Sequence, residues 1–464
     1  MIRLFRVFIP ASVLALLASE VVLILSCYIL AGIFVLDVDT AVFLLDDNGL
    51  ARIALVVACL MLGIYFHDLY EQFRIKSRMV LFHQMCLVLG LAFLSQGALS
   101  YLHLPEWTLP ARMMIWGSGL VLVFLPAWRI FYSDVGMRAF GAERVLFLGT
   151  SSLVQEIAER LAEHPELGMV AVGYVDDVED PAAPLPGPKL VGGISGLRQA
   201  IADLKPDRIV VGMSERRQRL PVHDLLDLRF SGLKIEDALN LYEAAFNRVC
   251  TRGLRPSQLI FSAELGPRPK RVMWQGLYSL AIALVATVIT LPIMVLVALV
   301  VKVSSPGPVL FRQRRVGKDD IPFTLYKFRS MYADAEAETG AVWAKKDDPR
   351  ITRVGRWLRR LRLDELPQLF NVLKGEMSVV GPRPERPEFV RELSEKIPYY
   401  RQRHCVKPGI TGWAQINHKY GDTLEDTIVK LEFDLYYIKN LSPGLDLYIM
   451  FHTAKVMLLS RGSQ

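Results

Sequence analysis

The chain has 464 residues, of which 52% are hydrophobic and 22% are charged, and its formal net charge is +7 at pH 7. This composition is more apolar and less charged than that of soluble globular domains, so it argues against a disordered chain and against an ordinary cytosolic enzyme. In such an apolar chain the excess of positive charge favours an anionic membrane surface or a phosphorylated substrate, rather than nucleic acid, as the partner. The five cysteines are widely spaced and form neither a disulfide framework nor a zinc motif.

The first third of the chain, residues 1–135, is predicted to be a transmembrane domain of four helices. Its first apolar run follows a short basic start and has no A-x-A cleavage site, so we interpret it as an anchor rather than a removable signal peptide. A hydrocarbon core of about 30 Å needs about 20 helical residues, and only the second run has to borrow residues from its flanks. The predicted spans are residues 11–36, 53–66, 79–102 and 113–130.

Charged residues around these spans indicate their orientation, because Lys and Arg concentrate on the cytoplasmic side of a membrane. The first connection is acidic, whereas the second connection and the segment after the fourth span are basic. The basic residues are Arg74, Lys76, Arg78, Arg129, Arg138 and Arg144. We therefore expect both ends of this domain on the cytoplasmic side.

Residues 140–255 alternate between short apolar strands and amphipathic helices, a pattern typical of a parallel sheet covered by helices. Strands are predicted at 144–149, 170–175 and 208–211, and helices at 152–163 and 197–204. Ser152 is the predicted cap of the first of these helices. We interpret the segment as a Rossmann-like module, followed by a linker at 256–269.

The turn after the first strand of this module bears on whether it binds a dinucleotide. It reads Gly149-Thr150-Ser151-Ser152, where a dinucleotide site requires G-x-G-x-x-G so that the backbone can approach the pyrophosphate. Asp176, after the second strand, has the position of a ribose-binding carboxylate. We favour a structural or regulatory module, and dinucleotide binding remains the alternative.

A fifth apolar run, residues 276–301, is long enough to cross a membrane, but both of its flanks are basic. A straight crossing would put one basic cluster on the wrong side. Pro292 lies inside the run, where it removes a helix hydrogen bond and forces a kink. We predict a re-entrant helix over about 273–302 that turns near 290–292 and returns to the same side, with a fifth full span as the alternative.

Asp364 and Glu365 stand at the start of a short amphipathic helix pattern. Asp364 is predicted to be the N-cap, with Pro367 in the first turn. The positive end of a helix favours an ionised carboxylate beside a phosphate, so Asp364 is a candidate nucleophile. Glu365 is a candidate ligand of Mg²⁺, which prefers one or two carboxylates together with phosphate oxygens. The spacing alone fits a capped helix with a surface Asp-Glu pair equally well.

Six motifs follow one another between residues 313 and 413. They are Gln313-Arg314-Arg315-Val316-Gly317, Lys327-Phe328-Arg329-Ser330-Met331, Asp348-Pro349-Arg350-Ile351-Thr352, Leu363-Asp364-Glu365-Leu366-Pro367-Gln368, Gly381-Pro382-Arg383-Pro384 and Lys407-Pro408-Gly409-Ile410-Thr411-Gly412-Trp413. In this order they closely resemble the bacterial polyprenyl-phosphate sugar-1-phosphate transferases, which are monotopic phosphoglycosyl transferases. The four helices and the sheet module are also similar to the larger members of that family.

The resemblance implies a two-step exchange that initiates the assembly of exopolysaccharide or a related glycan. Asp364 would attack the β-phosphate of a UDP-sugar, expel UMP and carry a phosphosugar, which polyprenyl (undecaprenyl) phosphate would then take up. The expected cofactor is Mg²⁺, held by Glu365. The expected location is the bacterial inner membrane, with an α-rich catalytic domain at 270–464 in contact with lipid on the cytoplasmic side.

The resemblance also assigns further residues to the expected phosphate and nucleotide site. Arg359 would contact phosphate, and the Pro382-Arg383-Pro384 turn would lie at the nucleotide end. Lys327 and Arg329 belong to a matched motif near the active site. One position departs from the family: Trp274 stands where an Asp usually follows the Lys-Arg pair, which puts the local geometry of the membrane helix in question.

Two other functions were weighed against this one. A membrane-anchored nucleotide-sugar dehydratase would need G-x-G-x-x-G and Tyr-x-x-x-Lys, and the sequence contains neither. A non-catalytic scaffold for polysaccharide assembly would be expected to have lost the Asp364-Glu365 pair. The sequence does not identify the sugar, a ligand of the sheet module or the oligomeric state, although the membrane and sheet parts offer surfaces for a homodimer.

Overall fold

The computed structural model describes residues 1–37, 39–70, 77–133, 142–177, 187–213, 220–252, 266–332, 335, 348–418 and 423–458. They form two compact units. The first contains residues Met1–Ile2 and Phe8–Ala238, and the second contains Arg3–Val7 and the chain from Leu239 onward. The predicted transmembrane helices and the sheet module thus share one unit. Most of the predicted linker at 256–269 lies outside the described residues.

The apolar runs of the N-terminal third form long helices, as the sequence predicts. Two short strands, β1 (Ile2–Leu4) and β2 (Val7–Ile9), come before them. The helices are α1 (Ala11–Val35), α2 (Thr40–Leu45), α3 (Gly49–Phe66), α4 (Arg78–Tyr101) and α5 (Ala111–Phe131). Four of them, α1, α3, α4 and α5, are long and apolar enough to cross a membrane. That they cross it, and in which direction, remains a prediction.

A buried ion pair joins two of these helices, and the sequence analysis missed it. Arg129 Nε of α5 lies 2.6 Å from Glu20 Oε1 of α1, and both side chains are almost fully buried. The Tyr70 hydroxyl donates to Glu20 Oε2 at 2.5 Å, and Arg129 Nη1 donates to the Leu69 carbonyl at 3.0 Å. Because burying an unpaired charge is costly, these contacts fix the register of α1 against α5.

The Rossmann-like module is a parallel sheet in the order β5-β4-β3-β6-β7. Its strands are β3 (Glu143–Leu148), β4 (Met169–Val175), β5 (Leu190–Gly192), β6 (Arg208–Val211) and β7 (Lys234–Asp237). The helices are α6 (Ser152–Glu163), α7 (Leu197–Leu204) and α8 (Val222–Phe230), and α9 (Ala238–Phe246) follows the last strand. The predicted strands and helices are confirmed to within one residue at each end.

The turn after β3 is closed by its own hydrogen bonds. Thr150 donates to Asp176 Oδ2 through its backbone N–H at 2.9 Å and through its hydroxyl at 2.8 Å. Ser151, rather than Ser152, precedes the helix, and its hydroxyl donates to the Gly212 carbonyl instead of capping the helix. The carboxylate that would hold a ribose is therefore already engaged, which favours the structural interpretation of the module.

The second unit is rich in helices and contains two small sheets. Its long helix α10 (Pro269–Ser304) is followed by an antiparallel hairpin of β8 (Leu310–Val316) and β9 (Pro322–Phe328). A parallel pair is formed by β10 (Ser378–Val380) and β11 (Gly409–Thr411). The remaining helices are α11 (Arg353–Arg360), α12 (Gln368–Leu373), α13 (Pro387–Lys396), α14 (Trp413–Asn417), α15 (Leu424–Asn440) and α16 (Pro443–Leu458).

Helix α10 runs through Pro292 as one continuous helix, so the predicted turn near 290–292 does not divide it into two. It packs against other elements of the second unit on both sides of the proline. Before Pro292, Ala283 contacts a cluster that includes Leu325 and Leu369. After Pro292, Val301 contacts a cluster that includes Leu358. By length and composition α10 is also able to cross a membrane.

Near its beginning, α10 is held by a buried carboxylate. Asp446 of α16 is fully buried and accepts hydrogen bonds from Tyr437 at 2.8 Å, from Gln275 at 3.1 Å and from Tyr278. Burial raises the pKa of Asp446 to about 6, although the three hydrogen bonds act in the opposite direction. Trp274, at the position where the family usually has an Asp, is 60% exposed.

The segment between the sheet and α10 begins with contacts to α15. Glu432 of α15 is 1% exposed. Its carboxylate accepts hydrogen bonds from the Tyr242 hydroxyl at 3.0 Å and from the backbone N–H of Thr251 at 2.9 Å. Arg248 Nε lies 3.2 Å from the same carboxylate. Residues 239–252 therefore complete the packing of the second unit.

Candidate active site

Asp364 and Glu365 lie in a single 3₁₀ turn, Leu363–Glu365, between α11 and α12. The prediction that Asp364 is a helix N-cap is wrong. The residue before α12 is Pro367, which has helical backbone angles and makes no side-chain capping bond. The predicted helix is split because residues 363–365 turn more tightly than an α-helix. Charged side chains, rather than the end of a helix, therefore dominate the surroundings of the two carboxylates.

Glu365 is surrounded by three cationic side chains. Its Oε1 lies 2.8 Å from Lys327 Nζ, 3.7 Å from Arg383 Nη2 and 4.0 Å from Arg362 Nη1. Burial alone would raise the pKa of Glu365, but Lys327, Arg383 and Arg362 outweigh it and hold the pKa well below the usual range. Glu365 is therefore ionised at neutral pH.

Asp364 is the more deeply buried carboxylate, with 7% of its surface exposed. Its Oδ1 is buried and has no hydrogen-bond partner among the residues that the structure describes. Burial raises the pKa of Asp364, and the charge of Lys327 works against this shift, as do those of Arg359 and Arg362. The site thus pairs a carboxylate that contacts three cations through one oxygen with a neighbour whose Oδ1 is unengaged within the described part of the chain.

Arg359, predicted to contact phosphate, is brought next to the carboxylates by the last turn of α11. Its Nε donates to Ser330 Oγ at 2.9 Å. Burial lowers the pKa of Arg359, and the charges of Asp364 and Asp348 act in the opposite direction. This bond holds the guanidinium at Nε, and the charges of Asp364 and Asp348 act on it from the site.

The predicted nucleotide-end turn is also joined to the carboxylates, through Arg383 and Glu365. Three backbone carbonyls of this turn accept hydrogen bonds from other segments. The Pro382 carbonyl accepts from Gly409 N at 3.0 Å, and the Arg383 carbonyl accepts from Arg403 Nη2 at 2.9 Å. That of Pro384 accepts from Arg315 Nη1 at 3.0 Å.

Arg329 has a different environment from the other predicted phosphate-binding residues. It is 5% exposed, and its guanidinium points at the end of α10. It donates to the Ser305 carbonyl at 2.7 Å, to the Ser305 hydroxyl at 2.9 Å and to the Pro306 carbonyl at 2.6 Å. We therefore do not place Arg329 among the groups that face the carboxylates. Pro292 likewise belongs to α10 and not to this site.

Sequence reasoning missed two buried residues that hold the site in place. Asn371 is fully buried, and its side chain links α12 to β9 by accepting from Tyr326 N at 3.1 Å and donating to the Thr324 carbonyl at 2.7 Å. Asp434 of α15 lies 2.7 Å from Arg403 Nη2. A lone Asn between apolar helix positions was a detectable signal, whereas the pairing of Arg403 with Asp434 was not.

Comparison with known proteins agrees with this architecture. Residues 270–460 match the family model described as bacterial sugar transferase. The Escherichia coli protein named UDP-glucose:undecaprenyl-phosphate glucose-1-phosphate transferase is 36% identical over 322 residues, which cover 68% of this chain and 67% of that protein. The Xanthomonas campestris protein of the same name is 33% identical over 355 residues, with 70% and 69% covered.

A further relative matches over a shorter part. The UDP-N-acetylgalactosamine-undecaprenyl-phosphate N-acetylgalactosaminephosphotransferase of Aeromonas hydrophila is 50% identical over 182 residues, which cover 39% of this chain and 43% of that protein. Arg and Lys side chains that converge on one site are typical of proteins that bind phosphoryl groups. The chain belongs to the bacterial sugar transferase family.

Proposed function

We propose that this protein transfers a sugar-1-phosphate from a UDP-sugar to undecaprenyl phosphate, with release of UMP, through a covalent phosphosugar on Asp364. The names of the Escherichia coli and Aeromonas relatives support the acceptor and the group transferred. The observation that carries the nucleophile assignment is the buried Asp364 Oδ1, which has no partner in the described part of the chain. It lies beside the cations that bind its neighbour Glu365.

In the first step, an Asp364 oxygen bonds to the β-phosphorus while the bond from that phosphorus to the bridging oxygen breaks. UMP leaves with this oxygen and its electron pair. In the second step, a phosphate oxygen of undecaprenyl phosphate bonds to the same phosphorus, and Asp364 leaves as a carboxylate. Arg359, Lys327 and Arg383 hold and neutralise the phosphoryl oxygens, which is the main requirement of phosphoryl transfer.

The Glu365 carboxylate fits Mg²⁺, a cation that prefers oxygen ligands. Its Oε2, which takes part in none of the three ion pairs, would hold the ion. No group of three or more His, Cys, Asp or Glu in the described part of the chain could hold a metal alone. Phosphate oxygens of the donor would therefore complete its coordination. When bound, Mg²⁺ would neutralise the diphosphate as UMP leaves.

The position of α10 supports a catalytic unit attached to one face of the membrane. Gln275 and Val301, near opposite ends of this helix, both contact other elements of the second unit. They are separated by 26 positions, or roughly 39 Å of helix. A helix whose two ends are both held to one domain is expected to keep both ends on the cytoplasmic side of the membrane rather than cross it. Cysteine labelling of both flanks of α10 in intact cells tests this: both should react only after the membrane is permeabilised, and one periplasmic flank contradicts it.

The function is tested by incubating the purified protein with Mg²⁺, undecaprenyl phosphate and, in turn, UDP-glucose, UDP-galactose, UDP-N-acetylglucosamine and UDP-N-acetylgalactosamine. We expect UMP release with at least one donor. Asp364→Asn should abolish UMP release, whereas the matched control Asp319→Asn, at an exposed turn, should retain it.

Mass spectrometry of peptides containing Asp364 should detect a phosphosugar adduct when the acceptor is omitted. An active Asp364→Asn variant would refute the nucleophile, and no UMP from any donor would refute the function.

A further inference from the structure

The dipeptide Arg329-Ser330 touches both the end of α10 and the active-site arginine. The Arg329 guanidinium binds the carbonyls of Ser305 and Pro306, just beyond the last turn of α10. It also donates to the Val301 carbonyl of that turn at 3.4 Å. The next side chain, Ser330, accepts the bond from Arg359 Nε at 2.9 Å. One peptide bond therefore separates the membrane-helix contact from the catalytic-site contact.

The backbone of this dipeptide is fixed on both sides. Arg329 N donates to the Val309 carbonyl at 2.9 Å, and the Ser330 carbonyl accepts from Thr352 N at 3.0 Å. The same carbonyl packs against Gly355 of α11 so closely that a Cβ at Gly355 would lie 1.9 Å from the oxygen. Only glycine permits this approach. Arg329 and Ser330 are both buried, with 5% and 8% of their surfaces exposed.

We propose that Arg329 and Ser330 form a rigid link between the end of membrane helix α10 and Arg359, and that this link positions the Arg359 guanidinium on the donor phosphate. The inference rests on the proposed function, because it supposes that Arg359 contacts the phosphate. Ser330 is then a positioning residue that acts through Arg359. Arg329 holds Ser330 at a fixed place relative to the membrane helix, where the lipid acceptor arrives.

The geometry explains why such a link would matter. An arginine side chain has several rotatable bonds, and an unrestrained guanidinium loses entropy when it binds phosphate. A hydrogen bond to its Nε fixes the plane of the guanidinium and leaves its two terminal nitrogens available. Preorganised donors of this kind contribute mainly to transition-state stabilisation, so the loss should appear in kcat more than in KM.

A double-mutant cycle tests the link. Ser330→Ala should lower kcat for UMP release by about 10-fold in the wild-type background and by less than about 2-fold in an Arg359→Lys background, where the guanidinium is absent. Ser279→Ala, the matched control, removes a buried hydroxyl on α10 that bonds Val379 N and should change kcat by less than about 2-fold. Equal losses from Ser330→Ala in both backgrounds would show that Ser330 does not act through Arg359, and would overturn the proposal.

A second measurement does not depend on activity. Labelling by an arginine-selective dicarbonyl, mapped by mass spectrometry, should modify Arg359 faster in Ser330→Ala and in Arg329→Lys than in the wild-type protein. Unchanged labelling in both variants contradicts the link. If the wild-type protein releases no UMP from any donor, the proposed function fails by itself, and the labelling still decides whether Arg329 and Ser330 restrain Arg359.

Discussion

The ammonium group of Lys327 lies 2.8 Å from Glu365 Oε1, and its charge also acts on the buried carboxyl of Asp364. One strand residue thus serves two adjacent carboxylates whose pKa values shift in opposite directions. The pKa of Glu365 is held low by ion pairs, and the pKa of Asp364 is raised by burial. Separating two neighbouring acids in this way allows one to stay ionised while the other reacts.

Lys327→Met is expected to lower kcat/KM for UMP release by about 100-fold, because it removes a preorganised charge that neutralises both a carboxylate and the transferred phosphoryl group. Lys374→Met is the matched control. Lys374 donates a hydrogen bond of 3.0 Å to the hydroxyl of Tyr326, which precedes Lys327 on β9, and this contact is exposed to solvent. Loss of Lys374 should lower kcat/KM by less than about 3-fold. Steady-state kinetics at saturating Mg²⁺ measures both. A similar loss in the two variants would mean that position 327 contributes only general charge.

Glu365→Gln is expected to raise the Mg²⁺ concentration needed for half-maximal UMP release by about 10-fold or more, because the amide is a weaker ligand for a hard cation. The readout is a metal titration at fixed donor and acceptor concentrations. Glu392→Gln, in an exposed pair with Lys396 on α13, serves as the control and should leave the titration unchanged. A Glu365→Gln titration that coincides with that of the wild-type protein would assign Glu365 to binding Lys327 and Arg383 alone.

Asp446→Asn is expected to remove the pH dependence of stability that this carboxyl contributes. The pKa of Asp446 in the folded state, about 6, lies above its ordinary value, so the folded protein holds this proton more tightly than the unfolded chain does. Burying the charged form therefore costs stability above pH 6, on the order of 3 kcal/mol, and the cost disappears as the pH falls from 6 towards 4. Asn keeps an acceptor oxygen for Tyr437, but it replaces the oxygen that accepts from Gln275 and Tyr278 by an amide group, and this cost does not depend on pH.

Thermal unfolding of the protein in nanodiscs, followed from pH 4 to pH 8, measures this difference. The difference in Tm between the Asn variant and the wild-type protein should shift in favour of the variant as the pH rises from 4 to 8. Glu392→Gln, in an exposed pair with Lys396, should not change the pH dependence. A gap between the Asp446→Asn variant and the wild-type protein that stays constant with pH would show that the proton on Asp446 is not involved.

Glu20→Gln is expected to destabilise the first unit by about 3 to 5 kcal/mol, because it leaves Arg129 buried without its charge partner. The double variant Glu20→Gln with Arg129→Gln removes both charges and should recover part of the loss. The fraction of folded protein extracted in mild detergent and its Tm provide the measurement. If the double variant is less stable than Glu20→Gln by the full cost of Arg129→Gln alone, the two residues do not form an energetic pair.

The long helices and the sheet were predictable because their signals are local. Runs of apolar residues and alternating short strands give the bounds of α1, α3, α4, α5 and β3 to within a few residues. The site residues Asp364, Glu365, Lys327, Arg359 and Arg383 came from motifs, and the structure brings them together.

What the sequence did not reveal depends on residues far apart in the chain. Glu20 and Arg129 are 109 positions apart, and neither belongs to a motif. Arg329 looked like a phosphate ligand because the motif contains it, but its partners are carbonyls that follow α10. The capping role assigned to Asp364 failed because Pro367, three residues later, takes the place before the helix.

The contacts of Glu432 have a practical consequence for where the chain is cut. A shortened form that begins at the first residue of the family match, residue 270, would remove Tyr242, Arg248 and Thr251 together, leave Glu432 without these partners and uncover the surface that they pack on. Such a fragment is expected to precipitate even though every catalytic motif is present. A truncation point ahead of Leu239 keeps those donors and is the better choice for isolating the enzyme half.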